Sequence, residues 1–581
     1  MLSWRFNFPP LKQFRAASRD FSKSERLIFL ASFTLLLAGV IGFFISINNK
    51  YSVVVPAHGG KWREGIVGSP SFVNPLLAVS DADRDTTTLI YSGLMRADGH
   101  GGLVPDLAES FEISDDGLSY TFHLKDNLTW HDGQPLTSAD IVFTIETAKN
   151  PALKSPVRAN WEGVTIDSPD ERTVKLTLAN PYAPFIENTT LGIIPKHIWS
   201  GILPEQFTFS AFNHKPIGSG PYQIASTPTN SSGIITKFVL RSFDKYAGGE
   251  PNISTFEIKF YPTEQILKAD FQKREIDGIS VAVAKDLGEI GGNNIEIHEL
   301  TLPRIFGVFF NQNRAPIFTE KNIRLALDLA VDKKRIVNEV FAGHAEIANS
   351  PIPPGTFGDF SEDADSKLVN DDAARPIDRA NSTLKSAGWV KDPKTGILTK
   401  KTKKETKTLS FTLSTANTPD LAETGELLKS MWAELGVNIT IKLFEFTDLN
   451  QQVIRPREYD ALLFGEVVGR DPDPFAFWHS SQMNDPGLNI ALYANSTVDK
   501  LLETARKTIN EDERKQKYIE FQKEIADDVP AVFLYSPSYL YATTDGLKGF
   551  ETENITVPPE RFARVHSWHL KTKKVLKYFA N

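Results

Sequence analysis

An uninterrupted apolar run at residues 27–47, LIFLASFTLLLAGVIGFFISI, constrains this chain more than any other feature. It contains no charged residue and no proline. As a helix rising ~1.5 Å per residue it would span roughly 30 Å, the thickness of the hydrocarbon core of a bilayer. A lone segment can cross that layer only as a helix, because a helix pairs its own backbone groups. A buried core helix fits less well, since no face of the run is polar. The run therefore predicts a transmembrane anchor at residues 27–47.

Basic residues predict the orientation of this anchor. Those before it are Arg5, Lys12, Arg15, Arg19, Lys23 and Arg26, whereas the first ones after it are Lys50, Lys61 and Arg63. This Lys/Arg bias predicts a single-pass protein of the cell membrane, with residues 1–26 as a cytoplasmic tail and the large remainder outside the cytoplasm. A cleaved signal peptide is the alternative. It is less favoured, because the run exceeds the usual ~7–15 residues and no A-x-A-like site follows it.

Composition narrows the class of the exported part. With 581 residues, the chain is too long for one hydrophobic core, so we expect two or three domains after a linker at residues 48–60. A net charge of −8 makes nucleic acid a poor partner. The chain has no cysteine, which excludes disulfides, thiolate metal sites, thiol catalysis and a lipid anchor on an N-terminal cysteine.

Strand and helix patterns alternate along the exported part and predict an α/β fold. Apolar and polar residues alternate around Asp116-Gly117, which predicts a β-hairpin. Thr137 and Asp140 have the spacing of a capping box at the start of a helix. Residues 322–341 carry apolar side chains at helical spacing throughout and predict one long helix.

The loop at residues 466–478, EVVGRDPDPFAFW, is the best candidate site. The carboxylates of Glu466, Asp471 and Asp473 follow a predicted strand, and ligands of open α/β sheets bind beyond strand ends. Trp478 would add an apolar wall, and a carboxylate in such a cleft suits an ammonium group. A turn with solvated acids is an equally weighted alternative. No G-x-S-x-G motif and no metal-ligand spacing of histidines occurs, so we expect no catalytic residue, no metal and no cofactor.

Several segments resemble, in order, the extracytoplasmic solute-binding proteins of ABC importers for oligopeptides and dipeptides, solute-binding family 5. The segments are PDLAESFEISDDGLSYTFHLKDNLTWHDGQPLTSADIVFTIE at 105–146, PIGSGPY at 216–222, NIRLALDLAVDKKRIVNEVFAGHAE at 322–346, DRANSTLKSAGW at 378–389, LKSMWAELGVNITI at 428–441 and ERKQKYIEFQKEIADDVPAVFLY at 513–535. The resemblance covers about residues 61–570.

This resemblance implies a two-lobed clamshell of the type II periplasmic-binding fold with an extra inserted subdomain. Lobe I would be residues 61–300 and 541–581, with the subdomain at about 88–190, and lobe II would be residues 303–540. Strands near 302–311 and 534–541 would be the crossovers at which the lobes hinge. Relatives enclose an extended peptide between the lobes by main-chain hydrogen bonds, a form of β-strand addition.

The resemblance also implies ligand contacts. In relatives the segment after an Asn-Pro pair contributes main-chain contacts, and it matches Val79, Ser80 and Asp81 here. Peptide-binding relatives carry an Asp, after a Gly-Trp pair, that binds the peptide's α-amino group. Here Glu466 follows Gly465 in place of Trp, so Asp471 or Asp473 would take the role of that Asp.

The favoured hypothesis is a monomeric, membrane-anchored receptor that captures peptide-like solute and delivers it to ABC permease subunits. A ligand sensor or scaffold with the same clamshell is the alternative, motivated by the retained anchor and the basic tails. An enzyme such as a peptidase has no positive support in the sequence.

Overall fold

The computed structural model describes residues 22–290, 292, 294–357, 376–403 and 405–577, and most of the predicted cytoplasmic tail lies outside these ranges. The chain forms two compact units. One contains the residues up to His58 together with those from His569 onward, and the other is Gly59–Trp568.

The smaller unit is built on one long helix and a two-stranded ribbon. The helix, Lys23–Tyr51, contains the whole apolar run and has exposed leucine, isoleucine and phenylalanine side chains along its length. Within the described residues it is the one helix long and apolar enough to cross a membrane. The strand Ser52–Ala57 follows at once and pairs antiparallel with Lys571–Leu576. The predicted linker at 48–60 therefore includes a strand.

A seven-stranded sheet organises one half of the larger unit. Its strands, in spatial order, are Ile295–Leu300, Tyr539–Thr544, Gly278–Val281, Lys61–Val67, Thr255–Tyr261, Lys237–Ser242 and Tyr222–Ser226. Lys61–Val67 lies at the centre and runs parallel to both of its neighbours.

A six-stranded sheet organises the other half. Its strands, in spatial order, are Ala345–Ile347, Ala531–Pro537, Arg304–Phe310, Ala461–Val467, Ser410–Ala416 and Asn438–Phe444. The strand Ala531–Pro537 is buried along its whole length, and one apolar core extends from this sheet to the helices packed on it.

Smaller sheets and helices surround these two sheets. A four-stranded sheet consists of Ala108–Ile113, Ser119–Leu124, Thr173–Thr177 and Thr165–Asp170; a three-stranded sheet of Val390–Lys391, Leu398–Lys401 and Thr406–Thr408; and a pair of Met95–Ala97 and Leu103–Pro105. The longer helices are Asp81–Ile90, Ser138–Lys149, Glu264–Gln272, Lys321–Leu329, Lys333–Phe341, Pro376–Ser386, Pro419–Leu435, Ser496–Lys507 and Glu511–Asp528. Short helical turns are Pro151–Leu153, Arg158–Trp161, Ala183–Thr190, Lys196–Trp199, Pro204–Phe209, Ala211–Asn213, Ala284–Asp286, Leu287–Ile290, Pro316–Thr319, Phe446–Asp448, Leu449–Ile454, Phe475–Trp478, Ser480–Gln482, Pro558–Phe562 and Val565–Ser567.

Sequence signals that describe a single turn predict the structure correctly here, whereas the periodicity of a longer segment does not. The hairpin around Asp116-Gly117 and the capping box of Thr137 and Asp140 are both confirmed. The single helix predicted at 322–341 is wrong, because the structure has two helices there, Lys321–Leu329 and Lys333–Phe341. Asp332 lies between them and accepts a hydrogen bond from the backbone N–H of Arg335 at 2.9 Å, so it starts a new helix.

Two very short connections join the large sheets. Residues 301–303 lead from Ile295–Leu300 to Arg304–Phe310, and Ser538 alone leads from Ala531–Pro537 to Tyr539–Thr544. Ile295–Leu300 and Tyr539–Thr544 are neighbours in the seven-stranded sheet, and Arg304–Phe310 and Ala531–Pro537 are neighbours in the six-stranded sheet. The two halves are therefore joined by adjacent strands with little slack, and a cavity lies where they meet.

Candidate functional site

The cavity where the two sheets meet has a volume of about 690 Å³ and receives residues from both halves. Gly65, Asp81 and Asp85 line it from the half with seven strands, and Arg304 and Phe306 line it from the half with six. Cavities of 300–1,000 Å³ are typical of small-molecule sites. Because the short connections at residue 302 and at 537–538 also line this cavity, a movement about them would change its width.

A buried charge cluster supports the floor of this cavity. Arg561 is 1% exposed and donates hydrogen bonds to the Asp85 carboxylate from both Nη atoms, at 2.9 and 2.5 Å. Its Nη2 also donates to Glu64 at 3.2 Å, and Glu64 accepts from the Tyr541 hydroxyl at 2.7 Å. One cation therefore faces two carboxylates. Burial raises the pKa of both Glu64 and Asp85, and Arg561 counteracts that rise.

Val79, Ser80 and Asp81 form the entry to the helix Asp81–Ile90. Ser80 caps this helix and forms a capping box with Asp83. Asp83 also accepts hydrogen bonds from the backbone N–H groups of Ser71 and Phe72, at 2.6 and 2.8 Å. Val79 is 54% exposed, and Asp81 is exposed and lines the cavity. The hydrogen bonds of Ser80 and Asp83 thus hold the start of this helix in place, and Asp81 faces the space between the sheets.

Asp471 and Asp473 are both bound by arginines. The Asp471 Oδ2 lies 2.7 Å from Arg514 Nε, and its Oδ1 accepts a hydrogen bond from the Tyr518 hydroxyl at 2.8 Å. The Asp473 Oδ2 lies 3.1 Å from Arg506 Nη2. All of these side chains belong to the half with six strands, so the pairs hold the loop against the helices Ser496–Lys507 and Glu511–Asp528.

The same loop reaches residues of the other half. Glu187 accepts a hydrogen bond from the backbone N–H of Asp471 at 2.6 Å, and Arg470 donates one to Glu560 at 2.8 Å. The Tyr182 hydroxyl donates to Asp473 at 3.2 Å. Burial raises the pKa of Glu187 to about 7, although the Asp471 N–H and Arg470 oppose this rise. The loop is therefore one place at which the two halves contact each other through charged groups. The pair of Lys285 and Glu423, 2.6 Å apart at the cavity between the sheets, is another.

Glu466 lies inside the half with six strands. It is 2% exposed, and neither of its carboxyl oxygens has a hydrogen-bond partner within the described residues. Burial raises its pKa well above the usual range, offset in part by the indole of the fully buried Trp478, which lies nearby without forming a hydrogen bond. Glu466 and Gly465 also line a smaller cavity of about 310 Å³ in this half.

The structure therefore separates the predicted site residues into three places. Asp81, with Val79 and Ser80 beside it, belongs to the cavity between the sheets. Asp471 and Asp473 belong to the loop that joins the halves, and Glu466 and Trp478 belong to the interior. The sequence gives no signal for the residues that organise these places, which are Glu64, Asp85, Glu187, Arg470, Arg506, Arg514 and Arg561, because each acts through a partner far away in the chain.

A model of the bacterial extracellular solute-binding proteins, family 5 (middle region), matches residues 102–487. The chain belongs to this family. This family 5 protein is 28% identical over 528 residues to the oligopeptide-binding protein AppA of Bacillus subtilis, which covers 90% of this chain and 93% of AppA. It is 25% identical over 512 residues to the dipeptide-binding protein of Escherichia coli, which covers 83% of this chain and 90% of that protein.

Solved structures agree with this assignment. AppA of B. subtilis in complex with a nonapeptide matches with a TM-score of 0.65 and 27% identity, over 89% of this chain and all of that one. The ABC transporter substrate-binding protein CtaP of Listeria monocytogenes matches with a TM-score of 0.73 and 26% identity, over 88% of this chain and 99% of that one. The predicted fold class, a two-lobed α/β clamshell preceded by one apolar helix, is confirmed. The predicted domain limits stay a prediction.

Proposed function

We propose that this family 5 protein is a membrane-anchored, extracytoplasmic receptor that captures peptide-like solutes and delivers them unaltered to an ABC permease. The observation that carries the proposal is the cavity of about 690 Å³ between two sheets whose strands are connected along the chain by two short segments. The similarity to AppA and to a dipeptide-binding protein supports a peptide as ligand. The helix Lys23–Tyr51 would hold the receptor at the membrane.

Closure of the cavity would follow from the geometry of its walls. A ligand that contacts Asp81 on one side and Arg304 or Phe306 on the other binds better when the two halves approach each other. Such a ligand shifts the population towards the closed form by its difference in affinity for the two forms. The contacts of Glu187 and Glu560 with the loop at 469–471 would then hold the halves at the far end of the cleft.

The ligand contacts of Val79, Ser80, Asp81, Glu466, Asp471, Asp473 and Trp478 remain a prediction. Asp81 has the most direct support, because it is exposed and lines the cavity. Asp471 and Asp473 already bind arginines, so we propose that they act on the ligand mainly by holding the loop in place.

Calorimetry on the purified chain with peptides of two to nine residues tests the proposal. We expect saturable binding, together with a peptide in the mass spectrum of whatever co-purifies. If no peptide of the library binds and a non-peptide solute co-purifies instead, the chain is still a receptor, but the proposal of a peptide ligand is wrong. A chain that binds a peptide but associates with no permease would favour a ligand sensor instead.

A further inference from the structure

The C-terminal strand returns to the end of the apolar helix and brings lysines to it. Ser52 follows Tyr51, the last residue of that helix, and lies opposite Leu576 in the ribbon. Lys574 lies opposite Val54 in the same register, and Lys573 lies opposite Val55. The strand pairing therefore places residues from opposite ends of the chain beside each other.

Chain geometry limits how far these lysines can lie from a membrane that the helix crosses. Four helical residues after residue 47 add ~6 Å, and each strand residue adds at most ~3.4 Å. The backbone opposite Lys574 is then at most ~16 Å from the hydrocarbon core and that opposite Lys573 ~20 Å. Lys577 follows Leu576, which lies opposite Ser52, the first residue after the helix. The headgroup layer takes up ~5–8 Å of that distance. Lys577 and Lys574 thus lie within about one Debye length, ~8–10 Å, of the membrane surface.

The charge of this ribbon contrasts with that of the chain. Lys50, Lys573, Lys574 and Lys577 are all exposed, and neither strand of the ribbon contains Asp or Glu. The whole chain carries a net charge of −8. An acidic protein with a basic cluster at the end of its membrane helix matches the charge pattern that anionic lipid attracts.

We propose that Lys50, Lys573, Lys574 and Lys577, here called the lysine ribbon, bind the anionic headgroups of the membrane that the helix crosses. This inference rests on the membrane anchor of the proposed function. Each lysine near an anionic surface contributes attraction that falls off within a Debye length, so Lys577 and Lys574 bind most strongly. Lys571, opposite Ala57, is the most distant lysine of the strand and serves as an internal comparison.

The experiment compares the full chain in nanodiscs of phosphatidylglycerol and phosphatidylcholine with the same chain in phosphatidylcholine alone. A pulse of an amine-reactive reagent, read by mass spectrometry, reports the reactivity of each lysine. We expect anionic lipid to lower the reactivity of Lys577 and Lys574 severalfold, that of Lys573 less and that of Lys571 least. High salt should abolish the difference, because it screens exposed charges.

Two controls make the result decisive. Lys401 and Lys403, exposed lysines of the larger unit, report any general effect of the lipid on the reagent. A variant with Lys573→Gln, Lys574→Gln and Lys577→Gln should lose the protection from hydrogen exchange that anionic lipid confers on strand Ser52–Ala57. The proposal that the lysine ribbon binds lipid is wrong if lysine reactivity is equal in both lipids, if it decreases equally at all lysines, or if the variant keeps its protection. None of these results would contradict the membrane anchor. A chain that does not enter nanodiscs would overturn the anchor, and the ribbon with it.

Discussion

Replacing Arg561 tests whether a buried charge cluster holds the floor of the cleft. The variant Arg561→Met keeps much of the side-chain volume but removes both hydrogen bonds to Asp85 and the one to Glu64. Two carboxylates then remain buried without their cation. Removing one partner of a buried ion pair costs about 3–5 kcal/mol, since the other charge is left uncompensated. We expect a loss of that size in the free energy of unfolding near neutral pH.

This loss should depend on pH in a definite direction. Burial raises the pKa of Asp85 and Glu64, and Arg561 opposes that rise, so both pKa values climb further in the variant. A carboxyl group whose pKa is higher in the folded than in the unfolded protein contributes stability below its unfolded pKa. That contribution is lost as the pH rises through the folded pKa. Arg561→Met should therefore be closer to the wild type at pH 5 than at pH 7.5.

Urea unfolding at the two pH values measures the effect. Tryptophan fluorescence follows unfolding and includes residues at the cluster, because Trp62 donates a hydrogen bond to Glu64 at 3.0 Å and packs against Trp568. Arg455→Met is the matched control, since Arg455 binds Asp485 through two N–H groups at 2.8 and 2.9 Å but on the surface. Its unfolding midpoint should change far less, because exposed pairs contribute little. Equal losses in the two variants, or a loss that grows towards acid pH, would refute the reasoning.

Three further outcomes are expected. Burial raises the pKa of Glu187 to about 7, so its contribution to stability is present below its unfolded pKa and is lost as pH rises through about 7; Glu187→Gln should unfold at a higher temperature than the wild type at pH 8 and at a similar one at pH 5 in scanning calorimetry. Asp81→Asn should weaken the binding of a cationic peptide by up to ~1 kcal/mol, or ~fivefold, in titration calorimetry. The control Glu511→Gln, an exposed change on another helix, should leave the affinity for that peptide unchanged. If Asp471 binds a ligand amine, Asp471→Asn should weaken the binding of peptides with a free amino terminus by roughly 2–5 kcal/mol and leave the binding of N-acetylated peptides unchanged. Equal weakening for both kinds of peptide would indicate that Asp471 acts by holding the loop in place through Arg514.

Local physical chemistry accounts for the parts of the fold that could be predicted. The Asp116-Gly117 turn needs a positive φ, which Gly117 adopts at 67°, and a capping box is complete within four residues. The division of residues 322–341 into two helices had a local signal too. Asp332 is a good N-cap residue, but the apolar periodicity on both sides of it favours one helix. Apolar periodicity indicates which face of a helix is buried. It does not detect a short interruption after which the next helix buries the same face.

The candidate site was less predictable, because its chemistry depends on partners that are distant in sequence. The loop at 466–478 has the acidic and aromatic composition of a binding loop, yet nothing near it indicates that Arg514 and Arg506 neutralise its aspartates. Glu187 lies 284 residues before its partner Asp471, and Arg561 lies 476 residues after Asp85. Pairs this far apart come together only through the topology of the sheets. Single-sequence patterns therefore identify the loop and leave open whether its charges are available.

Glu466 shows how strongly that availability depends on the face of one strand. In Ala461–Val467, side chains alternate between the two faces of the sheet, and Gly465 pairs with Phe306, whose ring lines the cavity between the halves. A side chain at position 465 would collide with that ring, since a Cβ there would lie 2.6 Å from it. Glu466 consequently points to the opposite face, where burial raises its pKa and favours the neutral acid. A neutral carboxyl group cannot attract an ammonium ion, so we expect cationic ligands to depend on the carboxylates that line the cavity between the halves, those of Asp81, Glu264, Asp420 and Glu423. Among the predicted site residues Asp81 is the one that lines this cavity, so its replacement should lower the affinity of cationic ligands.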